Sequence, residues 1–173
     1  MNRFIPSRTA VILTCLGCVL AVGCMGYRVG PVLKADYRSV AVPMFKNKTY
    51  KPQLEAQITN GIIKRLQADG TLQADSEANA DIVVTGEIIR YDRLALRLAQ
   101  EDANVPREYR LTITVRVEAH DRRTGTVVLK PTDITGKADM FIGTDQQSAE
   151  YQALPLVADD VARQVVSLLV ESW

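Results

Sequence analysis

Between Tyr109 and Ala119 the chain alternates without a break. Tyr109, Leu111, Ile113, Val115, Val117 and Ala119 occupy one set of positions, and Arg110, Thr112, Thr114, Arg116 and Glu118 the other. A helix cannot place every second residue on one side, whereas a strand must, so this segment reads as a strand with one packed face and one face open to water or a ligand. Asp121-Arg122-Arg123-Thr124-Gly125 follows as a turn, with glycine where a positive φ is wanted, and Thr126 to Leu129 reads as the returning strand.

The rest of the body is assigned by the same periodicities. Ile82 to Ile89 reads as a strand, and Leu94, Leu96 and Leu98 continue the alternation with changed parity, which predicts a bulge near Tyr91 to Arg93. A polar loop around Gln100 to Arg107 leads into the next strand. Upstream, Ser39 to Phe45 has strand length, but Pro43 cannot donate to a ladder, so that strand lies at an edge or stops early. Pro52 fits the first position of a helix whose apolar stripe is Leu54, Ile58, Ile62, Ile63 and Leu66, closed by Asp69-Gly70. Leu154, Val157, Val161, Val165 and Leu168 mark a second helix, which Pro155 either opens or kinks. The expected fold is α+β: a β-α-β-β-β-α two-layer sandwich, a four-stranded mixed sheet with two helices on one face. Its first βαβ unit is a right-handed parallel crossover and its later strands an antiparallel meander.

The N-terminus follows other rules. Met1 to Thr9 carries Arg3 and Arg8 and no acid, Ala10 to Val22 is almost wholly apolar, and Gly23 is small. That order is that of a secretory signal, and the apolar run falls short of the ~20 residues that cross a bilayer, which disfavours an uncleaved anchor. All three cysteines, Cys15, Cys18 and Cys24, lie here. Ala21-Val22-Gly23-Cys24 resembles the bacterial lipobox, in which the cysteine is acylated and becomes the mature N-terminus, although Ala21 stands where leucine is usual. Leu16-Gly17-Cys18 is a competing site, but it would leave a very short apolar region. The expected organisation is therefore a lipoprotein signal peptide over 1–23, a lipidated N-terminus and tether over 24–38, and one domain over 39–173. Cleavage before Cys24 leaves one cysteine, which removes disulfides and thiolate metal clusters within the mature chain.

Composition narrows the function. Taking Arg3 and Arg8 from the 21 basic residues leaves 19 against 20 acids, a balance without the basic footprint of a nucleic-acid binder. His120 is the only histidine, so two-histidine metal sites are excluded, and no nucleophile, zincin or phosphate-loop motif is present. Asp159 and Asp160 are adjacent on a helix and diverge by roughly 100°, so they cannot act as a carboxylate pair. No catalytic set, metal site or cofactor is expected, and the chain reads as a non-enzyme.

The polar feature that stands out is arginine on the central hairpin. Arg90, Arg93, Arg97, Arg107, Arg110 and Arg116 are interleaved with Tyr91 and Tyr109. Guanidinium forks match phosphate, and Leu94, Leu96 and Leu98 beside Arg93 and Arg97 would suit an amphiphile with anionic heads and acyl tails. Asp92, Glu101, Asp102, Glu108 and Glu118 also allow a simple solvated face. Both readings stand on sequence alone.

The lipobox cysteine, Gly26-Tyr27, SVAVPMFKNKTYKPQLEAQITNGIIKRL, ANADIVVTGEI and the turn DRRTG together resemble the LptE family of lipopolysaccharide-assembly lipoproteins. The F-x-N-x-T element and its helix also open other envelope lipoproteins, such as CsgG-like secretion components and activators of cell-wall synthases. The resemblance implies an outer-membrane lipoprotein held on the periplasmic side by a lipid on Cys24. It implies a large β-barrel partner, LptD, that the chain plugs and helps to assemble, and contact with lipopolysaccharide. Arg93, Arg97, Arg110 and Arg116 are the candidate contacts for that ligand.

Overall fold

The computed structural model describes residues 37–98, 106–142 and 145–171, with the backbone alone for residues 97, 98, 106 and 107. The signal peptide, Cys24, Cys18 and nearly all of the tether lie outside the described residues. The elements are β1 (Ser39–Ala41), β2 (Lys46–Asn47), α1 (Leu54–Asp69), β3 (Gln73–Ala74), β4 (Ile82–Leu98), β5 (Pro106–Asp121), β6 (Val127–Phe141) and α2 (Gln146–Glu171).

Among the described residues the sheet has six strands, ordered β3-β1-β4-β5-β6, with β2 also paired to β4. The α+β class is as expected, and the strand count rises from four for two reasons. The strand expected over Ser39 to Phe45 is shorter, with β1 ending at Ala41 before Pro43, and a separate β2 forms just past the expected end at Lys46–Asn47, both running parallel to β4. β3, two residues long, adds a parallel rung to β1 and is too short to carry a period of its own. β4, β5 and β6 form the antiparallel meander.

Register explains the parity changes. Ile88 pairs with Val115 and Arg90 with Thr114, so Ile89 is the extra residue; the bulge lies just before Tyr91, not within Tyr91 to Arg93. Ile82, Val84 and Ile88 are buried before it and Tyr91 after it. β6 runs far beyond Leu129. Val117 pairs with Thr132 and Ala119 with Leu129, so a bulge on β6 takes up Lys130 and Pro131. Proline is tolerated there because β6 is an edge strand and the bulge needs no donor.

One core holds the two layers together. Val40, Ile82, Val84, Ile88, Leu111, Ile113, Val115, Val117 and Ile134 meet Leu54, Ile58, Ile62 and Leu66 of α1 and Val157, Val161, Val165 and Leu169 of α2. Both helices thus cover one sheet face. Close approach is set by glycines: a Cβ on Gly86 would lie 2.2 Å from the Phe45 ring, and one on Gly136 would lie 2.9 Å from the Val157 carbonyl oxygen of α2. The turn after β5 has Gly125 at φ 68°, as the sequence required.

Two helix boundaries differ from expectation. Pro52 lies outside α1, which starts at Leu54 after Gln53 at φ 67°, ψ 3°, the conformation of the third position of a type II turn with proline at the second. α2 starts at Gln146 and continues through Pro155, so the proline is internal and does not open it. Gly70 closes α1 at φ 73°, with its N–H donating to the Leu66 carbonyl at 3.0 Å.

Candidate functional site

The two sides of the sheet have different chemistry. On the face away from the helices the charges compensate one another in rows. The Lys48 ammonium lies 2.6 Å from Glu87, Glu87 is opposite Arg116, and Arg116 forks onto Asp133 with bonds of 2.7 and 2.9 Å. Arg110 forks in the same way onto Asp139, at 2.7 and 2.8 Å. These bonds hold the Asp133 and Asp139 carboxyls below their ordinary values and raise both guanidinium groups. Between the rows, the Thr114 and Thr135 hydroxyls bond at 3.1 Å. A shallow concavity of about 560 Å³ opens on this face beside Met44, Lys46, Glu87, Arg116 and His120.

The four arginines singled out from the sequence therefore do not form one platform. Arg110 and Arg116 share the open face, each carrying a carboxylate. Arg97 has its backbone opposite Glu108, and its side chain lies outside the described residues. Arg93 is opposite Leu111, on the side of the helices, and its Nη1 donates to Glu150 Oε2 at 3.0 Å.

Glu150 is the centre of a second constellation. It is 5% exposed, and its carboxylate accepts from Arg93, from the Tyr91 hydroxyl at 2.5 Å, and from the Lys51 ammonium. Burial alone would raise the carboxyl, but the bonds from Lys51 and Tyr91 and the charges of Lys51 and Arg93 hold it below its ordinary value. Burial, and then the bond to Glu150, push the Tyr91 phenol well up. Tyr50 packs edge-on against Tyr91 with ring centroids 5.7 Å apart. The F-x-N-x-T element builds the loop that delivers Lys51. Phe45 is buried with its N–H on Thr59 Oγ1 at 3.1 Å; Asn47 donates to the Lys51 carbonyl at 2.7 Å and to Glu55 at 2.9 Å, and accepts from the Thr49 N–H.

Sequence reasoning missed Glu150 and Lys51. A signal for Glu150 was present: it lies four residues before Leu154, on the same helical stripe, and a charge at a stripe position asks for buried partners. His120 lies on the open face, opposite Val83 and Val127. Asp160 binds the Lys137 N–H at 3.0 Å and Arg163 at 2.5 Å, while Gln164 donates to the Thr135 carbonyl at 3.1 Å, so α2 covers the outer edge of β6. Among the described residues, no cluster of acids, histidines or cysteines could hold a metal ion, and no helix is long and apolar enough to cross a membrane.

The fold recurs in solved structures of low sequence similarity. A hypothetical protein of Chlamydia trachomatis matches with TM-score 0.53 and 14% identity over 76% of this chain and 94% of its own. Uncharacterized lipoprotein B of Nitrosomonas europaea matches with TM-score 0.52 and 12% identity over 84% and 91%. A protein of Xanthomonas campestris matches with TM-score 0.55 and 9% identity over 78% and 85%. No curated protein matches the chain in sequence. The family model for lipopolysaccharide assembly matches residues 37–169, which takes in the whole sheet and α2 as far as Leu169, so the chain belongs to the LptE family.

Proposed function

We propose that this protein is an outer-membrane lipoprotein, acylated on Cys24 and held on the periplasmic side, that assists assembly of the lipopolysaccharide-translocating β-barrel and plugs its lumen. The family match over residues 37–169 carries this reading. The form of the domain supports it. β4 is 17 residues long and spans about 56 Å at ~3.3 Å per residue, more than the ~30 Å hydrocarbon core of a bilayer. A long sheet with a self-compensated polar face suits an aqueous lumen, because it presents bonds to water and to polar walls without a net field. The role is structural and non-enzymatic. Partners are the LptD-type barrel, the membrane through the lipid, and lipopolysaccharide, with no nucleic acid.

The experiment is detergent extraction of the full-length acylated protein, gentle affinity capture, and mass spectrometry of what accompanies it. A much larger outer-membrane β-barrel in near-stoichiometric amount is the expected result, and its absence would defeat the proposal. Ligand contact is tested separately by charge reversal at Arg93, Arg97, Arg110 and Arg116. Weaker binding to purified lipopolysaccharide with an unchanged circular dichroism spectrum supports contact, and unchanged binding leaves Arg110 and Arg116 as a solvated face and Arg93 as the partner of Glu150.

A further inference from the structure

Three local anomalies meet at one junction. Glu150 is a buried carboxylate, Pro155 stands inside α2, and Gln53, two residues after Lys51, is the only described non-glycine residue with positive φ. Pro155 has no N–H for the Tyr151 carbonyl, so one helical bond is missing where the first turns of α2 join the rest.

The two parts of α2 are held by different forces. Beyond the proline, Val157 and Val161 lie against Gly136, Ala158 against Gly61, and Asp160 and Gln164 bond the edge of β6. Before it, from Gln146 to Gln152, Glu150 is the one buried residue, and Tyr151 is 73% exposed. Only Ala153 and Leu154 add apolar burial at the hinge. The leading segment is thus fastened to the sheet by a carboxylate seated on three donors. Those donors are Lys51 from the loop and Tyr91 and Arg93 from β4.

Three converging donors with two cationic heads form a seat for any tetrahedral or planar oxyanion, and Glu150 is its internal occupant. Tyr91 is buried and its hydroxyl is taken by Glu150, as is Arg93 Nη1, so an external anion reaches all three donors together only where Glu150 gives way. We propose that a phosphate group binds at Lys51, Tyr91 and Arg93 by displacing Glu150, and that this exchange releases Gln146–Leu154 about Pro155. Binding and release are one coupled equilibrium: the ligand opens the segment, and a segment that opens more readily binds the ligand more tightly. The assignment rests on the ligand-contact reading of Arg93 and not on the barrel partner, so loss of the partner in the capture experiment leaves it standing.

The test is hydrogen exchange with mass spectrometry on the full-length protein, alone, with purified lipopolysaccharide, and with inorganic pyrophosphate. The expected result is severalfold faster exchange across Gln146–Leu154 and none across Val157–Leu169. A response to both probes assigns a free-anion site; a response to lipopolysaccharide alone assigns a headgroup presented on a lipid; a response to neither overturns the proposal. Glu150→Gln removes the competing charge and leaves the cations, so it should bind the responding probe about tenfold more tightly. If Glu150 were merely structural, that variant would bind no better, and this result with an intact fold would refute the exchange. Pro155→Ala restores the helical bond without threatening the fold. It should slow exchange of the leading segment and weaken binding severalfold, and unchanged binding would count as refutation.

Discussion

Substituting Gly136 by alanine probes the junction that fixes the two layers. The added Cβ would lie 2.5 Å from Val161 Cγ2, 2.9 Å from the Val157 carbonyl oxygen and 3.2 Å from the Val161 nitrogen. The Val161 methyl can rotate away, but the other two atoms are helix backbone, so α2 must lift from β6 by roughly half an ångström or more to restore ordinary contact. The same patch holds the Lys137–Asp160 and Thr135–Gln164 hydrogen bonds, at 3.0 and 3.1 Å, which lengthen as the helix lifts. Overpacking of a tight core costs ~1–3 kcal/mol, and replacing a strand glycine returns about 0.5–1 kcal/mol through the unfolded chain. The expected net loss is about 1.2 kcal/mol, or roughly 4–6 °C in Tm for a domain of this size. Urea unfolding followed by circular dichroism measures it, with m unchanged. A loss below about 0.5 kcal/mol would mean that the helix does not rest on Gly136, and the layer packing described above would be wrong.

Other predictions are as direct. Thr59→Val keeps the shape but leaves the buried Phe45 N–H without its 3.1 Å acceptor, and should cost ~1–3 kcal/mol in urea unfolding, whereas Thr59→Ser should cost less. Stability should depend on pH in the acid range. The backbone N–H of Arg38 lowers Asp81, that of Thr124 lowers Asp121, and Lys51, Tyr91 and Arg93 outweigh burial to lower Glu150. For groups depressed in the folded state, the contribution is complete above the ordinary values of 3.8 for Asp and 4.5 for Glu and is lost as pH falls through the lower folded values. The urea midpoint should therefore hold from neutrality to about pH 5 and fall below it; a midpoint that rises on acidification would contradict these bonds. Cys24→Ala should leave the protein unacylated and outside the membrane fraction after cell fractionation. Recovery of an acylated, membrane-bound protein would move the anchor to Cys18.

The sequence showed those parts of the fold in which one residue's environment is set by its near neighbours. The alternation over Tyr109 to Ala119 identifies β5 because half of its residues point to the core and half to the open face. The stripes from Leu54 to Leu66 and Leu154 to Leu168 identify the helices for the same reason. β6 extends past the expected end at Leu129 through Pro131, because an edge position, which sequence does not reveal, lets a bulge absorb the proline. β3 was invisible because two residues carry no period. The parity slip in β4 was legible, but its position was not, since Ile89 at the bulge and Ile88 in the core are the same residue type. The arginines of the open face were found by composition, yet their partners Asp133 and Asp139 lie on a strand that was not expected to reach them. The seat of Glu150 joins a loop, a strand and a helix that meet only in the folded chain, so no local pattern could assemble it.

Dependence of the barrel on this chain is the core of the proposed function. It is tested most directly by depleting the protein in its native cells and measuring how much folded, heat-modifiable lipopolysaccharide-translocating barrel reaches the outer membrane, with other outer-membrane barrels as controls. The folded form of this barrel should fall while the controls hold. An undiminished amount of folded barrel after complete depletion would contradict it.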